Sequence, residues 1–139
     1  MNPDTPAPGP ATPRDSRALK GKRGLRRVAN ALRYSVDGLR AAWNGEDAFR
    51  QELLLALFMI PVALALPLSV VERVLLIGSV VMVLVVEILN SAIEAAIDRQ
   101  SFEINPLAKQ AKDLGSAAVM LSLLLTGGTW AAVLWSHFS

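Results

Sequence analysis

The sequence predicts an all-α integral membrane protein, with an N-terminal amphipathic surface helix followed by three transmembrane helices. Apolar residues make up 53% of its 139 residues and the mean hydropathy is +0.40, above the roughly 45–50% apolar content of soluble domains. Three runs of residues carry no charge. Nine of the fourteen Lys and Arg lie in residues 1–40, together with three acids, so positive charge is concentrated ahead of the apolar runs.

Composition also limits the chemistry. The chain has no cysteine, and its single histidine, His137, lies two residues from the C-terminus. Cysteine-based metal sites are therefore excluded, and neither zinc chemistry nor Ser-His or Cys-His nucleophilic catalysis is expected. No P-loop and no kinase-type Gly-rich loop occurs, so any nucleotide chemistry belongs to another class.

The first segment, residues 1–24, is rich in Pro, Gly and Ala without apolar periodicity, which predicts a disordered tail. Its end, with the residues that follow, reads RALKGKRGLRR. Attraction to an anionic leaflet and the positive-inside rule explain this basic cluster as well as nucleic acid would, and they fit the apolar remainder better. We therefore expect no nucleic-acid partner. The membrane domain is predicted to cover residues 25–139.

The surface helix is predicted over residues 26–50. Its apolar residues recur at helical intervals with basic residues between them, and it carries Trp43. This composition is typical of a helix lying in a membrane interface. The pair Asn44-Gly45 is the expected point of interruption, before Phe49.

The three transmembrane helices are predicted over residues 53–71, 74–98 and 114–136. The first and third contain 19 and 23 residues without charge, close to the 20 or so that cross a bilayer core. Trp130 and Trp135 lie near the far end of the third as interface anchors. The basic N-terminal region and the loop after the second span are predicted to be cytoplasmic, and the C-terminus lies on the opposite side.

The second span ends in a polar stripe. Glu87, Asn90, Ser91, Glu94 and Asp98 follow i, i+3, i+4, i+7 and i+11, so they line one face of a helix. A carboxylate within a span costs about 2.5–3.5 kcal/mol on insertion scales and is a functional-site hypothesis by default.

The depth of these acids indicates their roles. Because the uncharged part of the span is only about 20 Å long, Glu87 lies about 10 Å short of the cytoplasmic boundary, and Glu94 lies near it. Glu94 could then hold a metal-bound phosphate, and Glu87 could act as a general base on a lipid hydroxyl. The alternative is that the stripe hydrogen-bonds between helices, with Lys112, Arg27 and Arg33 as cationic partners. The pattern leaves both open.

Two further groups flank the same interface. Lys112 and Asp113 precede the third span, where a lysine makes sense facing an anion such as phosphate, although a positive-inside lysine without further role is equally compatible. Glu46, Asp47 and Glu52 border the first span. Two of these with Glu94 would suit Mg²⁺, which takes oxygen ligands and substrate phosphates.

Seven features together resemble the prokaryotic diacylglycerol kinase family. They are Arg27, GLRAAW (38–43), E-x-AFRQE (46–52), RVLLI (73–77), VEILNSAIEAAIDR (86–99), AKDLGSAAV (111–119) and WSHF (135–138). The resemblance covers the chain from about Arg27 to its C-terminus. It implies an integral-membrane lipid kinase of the bacterial inner membrane that uses ATP and Mg²⁺ to convert diacylglycerol to phosphatidic acid. The implied assembly is a homotrimer whose active sites are shared between neighbouring chains, with a periplasmic C-terminus.

The resemblance also implies residue roles. Glu87 is the general base, supported by Asn90 and Asp98, and Glu46 and Glu94 bind the metal on ATP. The implied nucleotide contacts, besides Glu46 and Glu94, are Arg27, Tyr34, Glu103, Asn105, Lys112 and Asp113. The implied lipid-site residues are Arg27, Ala48, Phe49, Arg50, Gln51, Glu52, Arg73, Glu87, Ser116, Trp130 and Trp135. The loop 100–107, QSFEINPL, departs from the Gly, His and Tyr content usual in the family.

Other functions are compatible with parts of the pattern. Some members of the family phosphorylate undecaprenol, although GLRAAW, AFRQE and WSHF favour the diacylglycerol branch. A small proton-coupled transporter would need its acid near the bilayer midplane and would have no use for Glu94 or Lys112. A non-catalytic assembly factor would tolerate Glu87→Gln. Lipid-dependent consumption of ATP separates these possibilities.

Overall fold

A computed structural model of the chain describes residues 16–99 and 105–139, with side chains from residue 24 onward in these ranges. Within them the protein folds into four helices: α1 (Ser16–Gly45), α2 (Asp47–Ala65), α3 (Val70–Asp98) and α4 (Pro106–Phe138). The last three are each long and apolar enough to cross a membrane. The all-helical fold with three candidate membrane spans is therefore confirmed.

The helix bounds differ from those predicted. α1 begins at Ser16, inside the segment predicted as a tail, and ends at Gly45, so Ala48, Phe49 and Arg50 belong to α2. The first span ends at Ala65 because Pro67, which lacks an N–H, follows it. α4 begins at Pro106, well before the predicted residue 114. The predicted bounds followed the charge-free runs, which mark only the part of a helix that lies in hydrocarbon. The helices themselves extend beyond those runs into charged turns.

The chain divides into two compact units, Met1–Asp37 and Gly38–Ser139. In the first, every described side chain, from Gly24 to Asp37, is exposed. The second contains the end of α1 and the three candidate spans. Most large apolar side chains of these spans are exposed on the single chain, as expected of surfaces that meet lipid or neighbouring chains.

α3 is the central helix of the second unit, because it contacts both α2 and α4. One of its faces is buried, at Leu76, Val80, Val83 and Glu87. The buried residues of α4, Gly115, Ser122 and Thr126, are all small or polar. Small residues of this kind let two helices approach closely in a membrane.

Hydrogen bonds reinforce the α3–α4 interface. Thr126 Oγ1 lies 3.1 Å from the Ser79 carbonyl oxygen and 2.9 Å from that of Ser122. Trp130 Nε1 donates to the Leu76 carbonyl oxygen at 3.3 Å. Bonds of this kind average about 0.6 kcal/mol each in membrane bundles, so packing remains the larger contribution.

The turn between α2 and α3 is fastened by two devices. Ser69 and Glu72 form a reciprocal capping box that starts α3. The Arg73 guanidinium donates to three backbone carbonyls at and beyond the end of α2, those of Ala63, Leu66 and Leu68. Carbonyl groups left without helical partners are thereby satisfied.

Beneath this turn, Leu76 is fully buried against Ala63 and Leu68. We expect Leu76→Ala to lower the free energy of unfolding by about 2–3 kcal/mol, because it leaves a cavity where helices meet. Leu75→Ala is the matched control, since Leu75 is 51% exposed. Thermal unfolding in detergent micelles measures both variants. An equal loss of stability in the two would contradict this packing.

Candidate active site

The candidate site lies at the end of the bundle where α3 ends and α4 begins. Glu87 is its centre: it is 3% exposed and is the one charged residue that is buried in the described part of the chain. It lies four turns along α3 from the turn fastened by Arg73, on the same face as Leu76, Val80 and Val83. The packing of α3 on its neighbours thus places a carboxyl group in an apolar interior.

Three other carboxylates surround Glu87. It interacts electrostatically with Glu46 and Glu94, and with Glu52 in the second turn of α2. We call these four residues the acidic cluster. Like charges held together in a low-dielectric region repel one another, so the arrangement is suited to a cationic ligand or to sharing protons.

Glu46 occupies the corner between α1 and α2. Its backbone is extended, with φ −120° and ψ 113°. Arg50 fastens this corner by donating to the Trp43 carbonyl oxygen at 3.0 Å and pairing with Asp47. The position of Glu46 therefore depends on the break at Asn44-Gly45 that the sequence indicates.

Asn90 orders the next turn of α3. Its Nδ2 donates to Glu94 Oε1 at 3.2 Å, while its Oδ1 is buried with no hydrogen-bond partner in the chain. Ser91 Oγ and Glu52 Oε2 are buried and unpartnered in the same way. An unsatisfied buried polar atom costs about 1–3 kcal/mol, which marks these three atoms as positions suited to contact with another molecule.

Lys112 links α4 to the end of α3. Its Nζ lies 2.5 Å from Asp98 Oδ1, and it also interacts electrostatically with Glu94. Lys109 and Asp113 form an exposed pair within α4, at 2.6 Å. Lys112 is thus a cationic partner of the polar stripe, as the interhelical alternative expected.

Two apolar clefts adjoin the acidic cluster. The larger, about 300 Å³, is lined by Glu46, Ser91 and Ile88 together with small residues of the end of α1 and of α3: Gly38, Ala41, Ala42, Ala92 and Ala95. The smaller, about 30 Å³, runs beneath Glu52 between α2 and α3 and reaches Leu123 of α4. Acidic groups therefore stand beside apolar space, the arrangement needed to meet the polar end of a lipid.

Other predicted site residues lie at the opposite end of the bundle, in the other compact unit, or at the start of α4. Arg73 and Trp130 lie at the opposite end of α3 and α4, with Arg73 about 20 Å from Glu87 along the helix, and Trp135 is 77% exposed near the C-terminus. Arg27 and Tyr34 belong to the other compact unit. Asn105 caps α4 by accepting from the Leu107 N–H at 2.9 Å. Glu103 lies outside the described residues.

Some features of the site were not foreseen. No pattern in the sequence indicates that Arg50 bonds the end of α1, or that Gly115 lies directly against Asn90. The signal for Gly115 was the small pair Gly115-Ser116 at the start of the apolar run. The exposed Ser116 is its neighbour in that pair, and its predicted lipid role stays a prediction.

The carboxylates of the site could hold a divalent cation only together with other ligands. Among residues 24–99 and 105–139, no three acidic or histidine side chains converge closely enough to hold a metal alone. Mg²⁺ is usually held by one or two carboxylates together with substrate phosphates and water. Glu46 and Glu94, which both interact electrostatically with Glu87, would suit such a pair of carboxylates.

Comparison with known proteins decides the family. The family described as "Prokaryotic diacylglycerol kinase" matches residues 33–134, most of the chain. The chain belongs to this family. The resemblance seen in the sequence motifs is confirmed, and the acidic cluster falls entirely within the matched residues.

Individual relatives agree with this membership. The chain is 50% identical over 115 residues to a protein from Escherichia coli named diacylglycerol kinase, covering 83% of this chain and 94% of the relative. A protein of the same name from Pseudomonas aeruginosa is 51% identical over 116 residues, covering 84% and 94%. One from Haemophilus influenzae is 40% identical over 111 residues, covering 80% and 94%.

The crowding of carboxylates predicts a change in stability. We expect Glu87→Gln to raise the free energy of unfolding by on the order of 1 kcal/mol, because a carboxyl group buried beside other carboxylates opposes stability. Thermal unfolding in micelles would measure it. Asp113→Asn, which removes a pair exposed on the surface, should leave stability nearly unchanged. A destabilised Glu87→Gln protein would mean that the carboxylate has a compensating partner.

Proposed function

We propose that this protein is a membrane lipid kinase that transfers the γ-phosphoryl group of ATP to the free hydroxyl of diacylglycerol, forming phosphatidic acid. Membership of the prokaryotic diacylglycerol kinase family and relatives of that name support this activity. The observation that carries it at the residue level is the buried Glu87, surrounded by carboxylates and beside apolar clefts. A soluble kinase has no need of a carboxyl group in that setting.

Glu87 acts as the general base. Its carboxylate accepts the proton of the diacylglycerol hydroxyl as the oxygen bonds to the γ-phosphorus, and the bond to ADP breaks. The proton later passes from Glu87 to water. Burial on α3 suits this role, because it excludes competing water from the acceptor while leaving the clefts open for the acyl chains.

The nucleotide lies at the more exposed end of the stripe. Glu46 and Glu94 would hold Mg²⁺, which would supply positive charge against the phosphates during transfer. Asn90 keeps Glu94 in place through its hydrogen bond. Lys112, which pairs with Asp98 and interacts with Glu94, would contact the phosphates. Arg27, Tyr34, Glu103, Asn105 and Asp113 are assigned to the nucleotide by family motif.

The lipid enters from the bilayer beside α2 and α3. Glu52 lies near the acidic cluster and Phe49 is buried one turn before it on α2. The larger cleft, about 300 Å³, would accept part of an apolar chain. Ala48, Arg50, Gln51, Ser116, Arg73, Trp130 and Trp135 are assigned to the lipid site by family motif. For the last three, contact with a neighbouring chain or with the far part of the acyl chains suits their position better than contact with the hydroxyl.

The protein is assigned to the bacterial inner membrane, with its N-terminus cytoplasmic, its C-terminus periplasmic and α1 as an amphipathic surface helix. The distribution of Lys and Arg supports this orientation. It assembles as a homotrimer with shared active sites. The exposed apolar faces of α2, α3 and α4, and the unpartnered atoms of Glu52, Asn90 and Ser91, support such an assembly.

Lipid-dependent release of ADP tests the activity. In detergent micelles with Mg·ATP, we expect turnover with diacylglycerol, little with undecaprenol and none without lipid. Glu87→Gln should abolish turnover while retaining nucleotide binding, because it removes only the proton acceptor. Preference for undecaprenol would move the protein to the other acceptor. Absence of lipid-dependent turnover, or full activity of Glu87→Gln, would overturn the proposal.

Glu94 should behave differently from Glu87. We expect Glu94→Gln to raise the KM for Mg·ATP by about ten-fold or more, as loss of a charged ligand does, and to lower kcat less than Glu87→Gln does. Glu72→Gln on the same helix is the control, because glutamine preserves the capping box with Ser69 far from the site. Unchanged Mg·ATP kinetics in Glu94→Gln would remove Glu94 from the nucleotide site.

A further inference from the structure

Gly115 stands out among the glycines of the described part of the chain. A Cβ built on Gly24, Gly38, Gly45, Gly78, Gly127 or Gly128 meets nothing within 4 Å. A Cβ on Gly115 would overlap Asn90 Oδ1, and it would lie 3.2 Å from Asn90 Cγ and 3.9 Å from Asn90 Cβ. The amide of Asn90 therefore occupies the space that a side chain at position 115 would fill.

From this contact we propose that Gly115 is a positioning residue for phosphoryl transfer: its missing side chain leaves the space in which the Asn90 amide holds Glu94. The inference rests on the proposed function, because it gives Glu94 a role toward Mg·ATP. It concerns a residue that touches neither substrate nor metal and acts only through Asn90.

The contact is made to the movable end of a side chain. The nearest atoms belong to the Asn90 amide, and the α3 backbone is not among them. An alanine at position 115 can therefore be accommodated if the Asn90 side chain rotates while the two helices remain packed. Such a rotation removes Nδ2 from its place 3.2 Å from Glu94 Oε1.

Loss of this hydrogen bond affects a crowded carboxylate. Glu94 is half-buried, repelled by Glu87 and attracted by Lys112. Without the amide, the carboxylate loses the hydrogen bond from Asn90 that fixes its orientation. A displacement of about 1 Å at a catalytic group can cost up to about a hundred-fold in rate, so a single methyl group is sufficient to impair the reaction.

General helix packing gives a different expectation. If Gly115 served only the close approach of α3 and α4, a methyl group there would lower stability whatever residue occupies position 90. If it acts through the amide, its effect disappears once the amide is removed. A double-mutant cycle between Gly115→Ala and Asn90→Ala separates these two possibilities.

The experiment compares the wild type, Gly115→Ala, Asn90→Ala and the double variant as full-length proteins in micelles. The two readouts are kcat/KM for Mg·ATP and equilibrium binding of Mn²⁺ with a non-hydrolysable ATP analogue, followed by electron paramagnetic resonance. We expect Gly115→Ala to weaken both by about ten- to a hundred-fold, and the double variant to be no worse than Asn90→Ala. Gly128→Ala, on the same helix with open space around it, should match the wild type.

Two results would overturn the inference. One is wild-type kinetics and Mn²⁺ binding in Gly115→Ala. The other is a loss of the same size in the wild-type and Asn90→Ala backgrounds, which would assign Gly115 to packing alone. Failure of the proposed function is a separate result, namely no lipid-dependent turnover in the wild type. In that case the double-mutant cycle, read out by Mn²⁺ binding, still decides whether Gly115 controls the position of Glu94.

Discussion

The packing of α3 against both of its neighbours is the constraint on which the rest of the structure depends. α3 carries Glu87, Asn90 and Glu94 on a continuous helical face, and that face is useful only while α2 and α4 cover it. Gly115, Ser122 and Thr126 let α4 approach closely enough to do so. A membrane supplies no hydrophobic drive for this contact, because lipid tails are as apolar as leucine. Close fit and a few interhelical hydrogen bonds must therefore hold the site together.

The same packing brings like charges together. Four carboxylates lie near one another, and one lysine, Lys112, interacts with Glu94. Because they are partly buried, their charged forms repel one another. In the proposed reaction, a cation bound with ATP and a proton taken from the acceptor would each relieve this repulsion, so the cluster would favour the charge distribution of the reacting complex.

Much of this organisation could be predicted from the sequence because it follows helical spacing. The stripe from Glu87 to Asp98 and the break at Asn44-Gly45 are local patterns, and the structure contains both. The helix bounds were less accurate, since Pro106 and the charged turn after it extend α4 beyond the apolar run. The Gly115–Asn90 contact and the bond from Arg50 to Trp43 depend on how helices cross or turn. No spacing within one helix encodes them.

The unpartnered polar atoms at the site, like its carboxylates, are unfavourable in the isolated chain. Asn90 Oδ1, Ser91 Oγ and Glu52 Oε2 are buried without a partner in the chain, and each costs free energy in that state. They lie on the two helices that border the apolar clefts, beside the acid proposed to take the proton. A group that is unsatisfied in the single chain and satisfied when substrate or a neighbouring chain arrives contributes to binding at the moment the complex forms. The unpartnered atoms therefore support the proposal that substrate or a neighbouring chain completes the site.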